Sequence, residues 1–133
     1  YNFDIEPYKK LNYVEFRNKF IELDELADLI RGAHFTVCPY TEATQSGVVY
    51  SSFALNTPVV ATRVGGLPEM IDDGGTGVIV PPCDEQALAE TMNDLLGDTV
   101  KLASLTNNIK VSANEGKGSW HIIAKEYLEI YNK

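Results

Sequence analysis

Within residues 39–66, PYTEATQSGVVYSSFALNTPVVATRVGG, one carboxylate, Glu42, is followed by Thr44, Gln45, Ser46 and Gly47. Short polar side chains and a glycine just ahead of an apolar run suit an anion at the start of a helix. The first N–H groups of a helix have no intrahelical partner and carry the positive end of its dipole. Ser46, Gly47 and Val48 would supply them here. Gly47 has no Cβ to hold a phosphate away, and Thr44 and Ser46 add hydroxyl donors. The same residues have a second use, because Thr44 or Ser46 can cap the helix without binding anything; the two uses are compatible. The loop lacks the GxxxxGK[ST] pattern of a Walker phosphate loop. It also holds no Lys or Arg, so amides and hydroxyls would carry the anion. Gly65-Gly66 directly follows a strand-like segment and permits a tight turn or a close backbone approach. Glu69, just beyond, either supports a short helix or takes a ligand hydroxyl. Arg63 is a lone basic side chain at a strand end, and Asp72 and Asp73 read as a solvated turn.

These residues need elements to position them. NYVEFRN (12–18) alternates apolar and polar and predicts a short strand. In LDELADLIRGA (23–33), Leu26, Leu29, Ile30 and Ala33 recur at helical spacing, with Asp24 as N-cap. HFTVCPY (34–40) reads as a buried strand stopped by Pro39. A helix follows from Ser46 to about Leu55, closed by Asn56 in the left-handed conformation. PVVAT (58–62) is a β-branched strand, GGLPEMI (65–71) a glycine turn into one helical turn, DDGGTG (72–77) a tight turn, and VIVPP (78–82) a strand. DEQALAETMNDLLG (84–97) is an amphipathic helix capped by Asp84 and ended by Gly97; residues 99–114 form another, and GSWHIIAKEYLEIYNK (118–133) a last one capped by Ser119. This alternation predicts an α/β fold around a Rossmann-like parallel sheet of about four strands. The sheet is complete on its C-terminal side and short on its N-terminal side. Ligands of such sheets bind beyond the carboxyl ends of the strands, where residues 18–22, 39–47 and 63–69 fall.

The chain of 133 residues fits one domain, 1–133, with no repeat and no low-complexity linker. Its net charge of −8 argues against nucleic acid as a partner. No apolar run approaches the roughly 20 residues that span a bilayer, and no signal peptide is visible. The first residue is Tyr1, not Met. Cys38 and Cys83 form no CxxC pair and read as free thiols, buried or half-buried, in a reducing compartment. His34 and His121 are isolated, so neither a metal set nor a nucleophile–base pair suggests itself. Trp120, Tyr127 and Tyr131 follow helical spacing and predict that the last helix packs onto something.

Taken together, PYTEATQSGVVYSSFALNTPVVATRVGGLPEMIDDGGTGVIVPPCDEQALAETMNDLL resembles the C-terminal half of retaining nucleotide-sugar glycosyltransferases of the GT-B fold, in a TQSG-loop variant. The resemblance runs from about Asn12 to the end and rests on loop, strand, glycine turn and TGVIVPP occurring in order. It implies that a nucleoside diphosphate sugar is the substrate, with no cofactor and no metal. Glu42 corresponds to the first acidic residue of an E-x7-E motif near the donor sugar, the catalytic position. Thr44, Gln45, Ser46, Gly47 and Val48 correspond to the loop that holds the diphosphate. Lys19, Phe20 and Ile21, with Tyr50 and Ser51, fall in the region of the base and ribose. Here Tyr50 and Ser51 stand where the second Glu of the motif is usual.

The resemblance also implies a glycan or lipid-linked acceptor on an N-terminal GT-B domain that this sequence lacks, together with the first strands of the C-terminal half and their basic pair. A cytoplasmic protein follows, peripheral to the membrane through that other half, and inactive as these residues alone. Two other readings remain: a non-catalytic nucleotide-binding α/β module, and a sugar-phosphate epimerase of similar fold.

Overall fold

The computed structural model describes residues 4–115 together with Lys125, Leu128 and Glu129. Among these residues one parallel sheet forms, ordered β1 (Thr36–Cys38), β2 (Val59–Thr62), β3 (Gly77–Val80). Val37 pairs with Val60, and Val60 with Val78. Parallel neighbours need a crossover, and helices supply it. Helix α1 is Glu6–Lys9, α2 Leu23–Gly32, α3 Gly47–Ala54, α4 Leu67–Met70, α5 Glu85–Gly97 and α6 Thr99–Glu115. β1 reaches β2 through α3, and β2 reaches β3 through α4.

All four residues of β2 are buried, as a central strand covered on both faces requires. Alternation then divides its side chains. Val59 and Ala61 pack with Cys38, Val49, Leu67, Ile71 and Ile79. Val60 turns to the opposite face, with Val80, Leu95 and Leu105. Burying one such aliphatic side chain contributes about 1.5–3 kcal/mol.

Local chemistry sets the element ends. Ser46 is the N-cap of α3, and its Oγ accepts from the Val49 N–H at 3.3 Å. Asp84 does the same for α5, accepting from Ala87 N–H at 2.9 Å. Asn56 follows α3 at φ +61°. Residues 65–71 form the expected turn and single helical turn, with Gly65 at φ +49°.

Several expectations need correction. Residues 12–18 are not a strand, and the sheet has three strands among the described residues rather than four. Period-two alternation is only half the requirement, because a strand also needs a ladder partner. Residues 12–18 are exposed throughout, Tyr13 at 78%. Arg17 is engaged instead by Glu15 and Glu25, and the outer side of β1 pairs with no described strand. Residues 18–22 therefore do not follow a strand end.

The N-cap of α2 is Glu22, without a side-chain cap bond; Asp24 lies inside the first turn, where its charge complements the dipole. Helix α1 had no periodic signal. Pro7 in its first turn and Asp4, which accepts from the Glu6 N–H at 3.0 Å, account for it. Cys83 is exposed rather than buried or half-buried, at φ +56°; both cysteines are free. The helix expected over 118–133 lies outside the described residues, apart from Lys125, Leu128 and Glu129. Among the described residues no helix is long and apolar enough to cross a membrane.

Candidate functional site

The loop of residues 39–47 leaves the carboxyl end of β1, and the turn of residues 63–66 leaves that of β2. The two loops touch. Gly66 N–H donates to Thr44 O at 3.1 Å. A Cβ on Gly66 would stand 2.6 Å from that same oxygen, and one on Gly65 only 1.5 Å from Ala43 O. The glycine pair thus serves both uses open in the sequence: Gly65 takes a positive φ, and both residues admit a close backbone. The backbone they admit is the protein's own loop.

Between the loops lies an open cleft of about 620 Å³, lined by Thr41, Glu42, Ala43, Thr44, Val64 and Gly65. Glu42, Thr44 and Gln45 are exposed, and no side-chain hydrogen bond or ion pair within the described residues occupies them. Their polar atoms are left to solvent or ligand. At the head of α3, Gly47 is exposed and open space surrounds its Cβ position. The Gly47 and Val48 N–H groups have no acceptor among the described residues, whereas the Val49 N–H is taken by Ser46 Oγ. These are the orphan donors of a helix start, with the positive dipole end behind them.

Ser46 answers the cap question. It is 4% exposed, and Tyr40 Oη lies 3.3 Å from its Oγ. Its hydroxyl faces inward and serves the helix, so at this end the backbone amides are what is left for an anion. Val48 and Tyr50 are exposed, while Ser51 turns toward α2 and lines an apolar groove with Leu23, Leu26, Ala27, Ile30, Ala54 and Leu55.

Lys19, Phe20 and Ile21 occupy the approach to α2. The Lys19 ammonium sits 3.0 Å from Glu25, a carboxylate shared with Arg17. Lys19 and then Arg17, both hydrogen-bonded to it, hold the Glu25 carboxyl below its ordinary value. The bond to Glu25 correspondingly raises the Arg17 guanidinium. Phe20 is 83% exposed and Ile21 half-buried. No polar contact among the described residues joins this segment to the loop of residues 39–47.

Arg63 is exposed, with its guanidinium 3.6 Å from Asp73. Asp73 is more than a solvated turn residue, because it also accepts from the Ile79 N–H at 2.9 Å and so ties the turn to β3. Asp72 is exposed, and its carbonyl accepts from Gly75 and Thr76.

Beneath the loop lies a polar set that sequence reasoning missed. Thr62, 4% exposed at the end of β2, donates from Oγ1 to Tyr40 O at 2.5 Å, with Cys38 O at 3.5 Å. Burial pushes the Cys38 thiol up, partly offset by hydrogen bonds with Tyr40 and Ser46. A signal was present. A hydroxyl ending an otherwise apolar, doubly covered strand must find an acceptor once buried.

Comparison with known proteins gives this geometry its context. A family model described as Glycosyl transferases group 1 matches residues 4–98. A D-inositol 3-phosphate glycosyltransferase of Corynebacterium urealyticum is 31% identical over 108 residues, covering 81% of this chain and 25% of that protein. A sucrose-phosphate synthase of Thermosynechococcus elongatus superposes with a TM-score of 0.78 at 28% identity, over 96% of this chain and 32% of its own. HepE of Anabaena, solved in complex with UDP, superposes with a TM-score of 0.66 at 23% identity, over 79% of this chain and 29% of its own; that likeness speaks to the fold. The chain spans about a quarter of the length of the curated relative and about a third of the synthase.

Proposed function

The chain belongs to the glycosyl transferases group 1 family, and on that premise we propose that it forms the donor-binding part of a retaining glycosyltransferase. The whole enzyme moves a sugar from a nucleoside diphosphate sugar to a glycan or lipid-linked acceptor. The observation that carries this reading is the pair of unpartnered N–H groups at Gly47 and Val48 beside a cleft that holds Glu42 and Thr44. In it, the diphosphate lies on those two amides, with the Thr44 and Gln45 side chains beside them. Glu42 stands at the sugar end. Tyr50 and Ser51, with Lys19, Phe20 and Ile21, lie toward the base and ribose. Amides and hydroxyls supply the diphosphate contacts, so the reading requires neither a metal nor a cofactor in this chain.

Transfer needs more than donor binding. The leaving diphosphate must be stabilised by positive charge, and the acceptor must be held at the anomeric carbon. Among the described residues, no Lys or Arg lines the cleft. A second domain therefore provides the acceptor site, with further basic groups outside this chain, and these 133 residues alone do not transfer sugar. The two free thiols fit a cytoplasmic setting, with membrane contact, where the acceptor is a lipid, left to the acceptor-binding part. The bare cleft also favours a second reading, a nucleotide-binding module without catalysis.

Titrating UDP, GDP and ADP into the ¹⁵N-labelled chain tests the first reading. Shifts are expected at Gly47 and Val48 at millimolar nucleotide; their absence with all three would overturn the diphosphate site. A radiolabelled-sugar assay of the chain alone is expected to stay at background.

A further inference from the structure

The amides at the head of α3 are only as well placed as the loop that delivers them. That loop carries little internal structure: Glu42, Thr44 and Gln45 make no side-chain bond to their neighbours among the described residues. Its geometry is imposed from outside: Gly66 N–H holds Thr44 O at 3.1 Å, and the side-chain contacts converge on two further residues. Tyr40 is held at both ends. Its carbonyl accepts from Thr62 Oγ1 at 2.5 Å, and its hydroxyl lies 3.3 Å from Ser46 Oγ. Between those ends runs the whole arch of residues 41–45. Ser46 Oγ in turn accepts from Val49 N–H, so the Tyr40 hydroxyl touches the cap that orients the first turn of α3. The tyrosine ring packs against the core cluster of Cys38, Val49 and Leu67, which fixes the lever on which the hydroxyl is carried. Thr62 has one hydroxyl proton and is buried, so its bond has no solvent competitor.

We infer that Tyr40 and Thr62 are positioning residues for the diphosphate site: Thr62 fixes the loop's exit from β1, and Tyr40 carries that constraint to the Ser46 cap and hence to the Gly47 and Val48 N–H groups. The inference rests on the donor-site reading for its function, but its geometry is testable without nucleotide.

The experiment compares Tyr40→Phe, Thr62→Val and Thr62→Ser with the parent chain, each ¹⁵N-labelled. Thr62→Val removes the hydroxyl while keeping the shape, and Thr62→Ser keeps the hydroxyl. In the free chain, Tyr40→Phe and Thr62→Val are expected to shift the Gly47, Val48 and Val49 amide resonances and speed their hydrogen exchange. Thr62→Ser restores both, and the amides of Val60 and Leu95 stay unchanged in all three. In a UDP titration, Tyr40→Phe and Thr62→Val bind about threefold to tenfold more weakly, the worth of one hydrogen bond, and Thr62→Ser binds like the parent.

Unchanged resonances and exchange at Gly47–Val49 in both Tyr40→Phe and Thr62→Val would overturn the inference, as would a Thr62→Ser chain that behaves like Thr62→Val. Should the parent chain show no UDP shift while the exchange changes appear, the positioning holds and the donor-site reading fails.

Discussion

Replacing Gly66 by alanine probes how tightly the loop sits on the turn below it. Gly66 has φ −83°, which any residue adopts, so the substitution carries no backbone penalty. Its cost is contact. The new Cβ would stand 2.6 Å from Thr44 O, whereas ordinary contact begins near 3.4 Å. The loop must retreat by about 0.8 Å, and the 3.1 Å bond from Gly66 N–H to that oxygen stretches beyond hydrogen-bonding range. The lost bond costs about 1 kcal/mol, and forcing an extra methyl into a packed site costs about 1–3 kcal/mol. Gly66→Ala is therefore expected to lose ~2–4 kcal/mol in urea unfolding followed by circular dichroism. The amide resonances of Ala43 to Val48 should move with it. Gly97→Ala is the control. Nothing lies within 4 Å of its Cβ position, and as the last residue of α5 it should gain up to about 1 kcal/mol. A Gly66→Ala chain with an unshifted urea midpoint and unmoved loop resonances would refute the close-approach argument.

Three further outcomes follow from side-chain environment. A thiol reagent should modify the exposed Cys83 at once and the buried Cys38 only as fast as the chain unfolds. Because burial raises the Cys38 thiol, its contribution to stability is whole below the ordinary thiol value and is lost as pH climbs through the folded one. Urea midpoints measured from pH 7 to pH 10 should therefore decline on the alkaline side. Glu25, held low by Lys19 and Arg17, contributes stability above its ordinary value that disappears as pH falls through the folded one. Its NMR titration midpoint should lie below that of a free glutamate and rise with added salt, since the group is only half-buried.

Features decided by a few adjacent residues were legible in the sequence. Ser46 and Asp84 as caps, Asn56 in the left-handed region and the one-turn helix after Gly65-Gly66 all depend on chemistry within four or five positions. Residues 12–18 failed for the opposite reason: their alternation is real, but a strand exists only where another strand accepts its hydrogen bonds. The candidate site divides along the same line. The exposed loop polar groups and the free amides of α3 could be read locally. The contacts that shape them could not, since Thr62 meets Tyr40 across 22 positions and Gly66 meets Thr44 through a turn whose fold had first to be known. Ser46, read as donor or cap, is the intermediate case. Its type announced both uses, and the structure shows its hydroxyl in the cap.

The alternation of β2 has a practical consequence. Val59 and Ala61 sit under the loop-bearing side, while Val60 belongs with Leu95 and Leu105 across the sheet. Changes at separated positions add nearly independently when they share no partner. Repacking around Leu95 and Leu105 therefore leaves the residues under the loop untouched. Thr44, Gln45 and Tyr50 are exposed and carry no core packing, so substitutions there leave both packed faces as they are. One four-residue strand thus lets the core beneath the loop and the core across the sheet be altered separately.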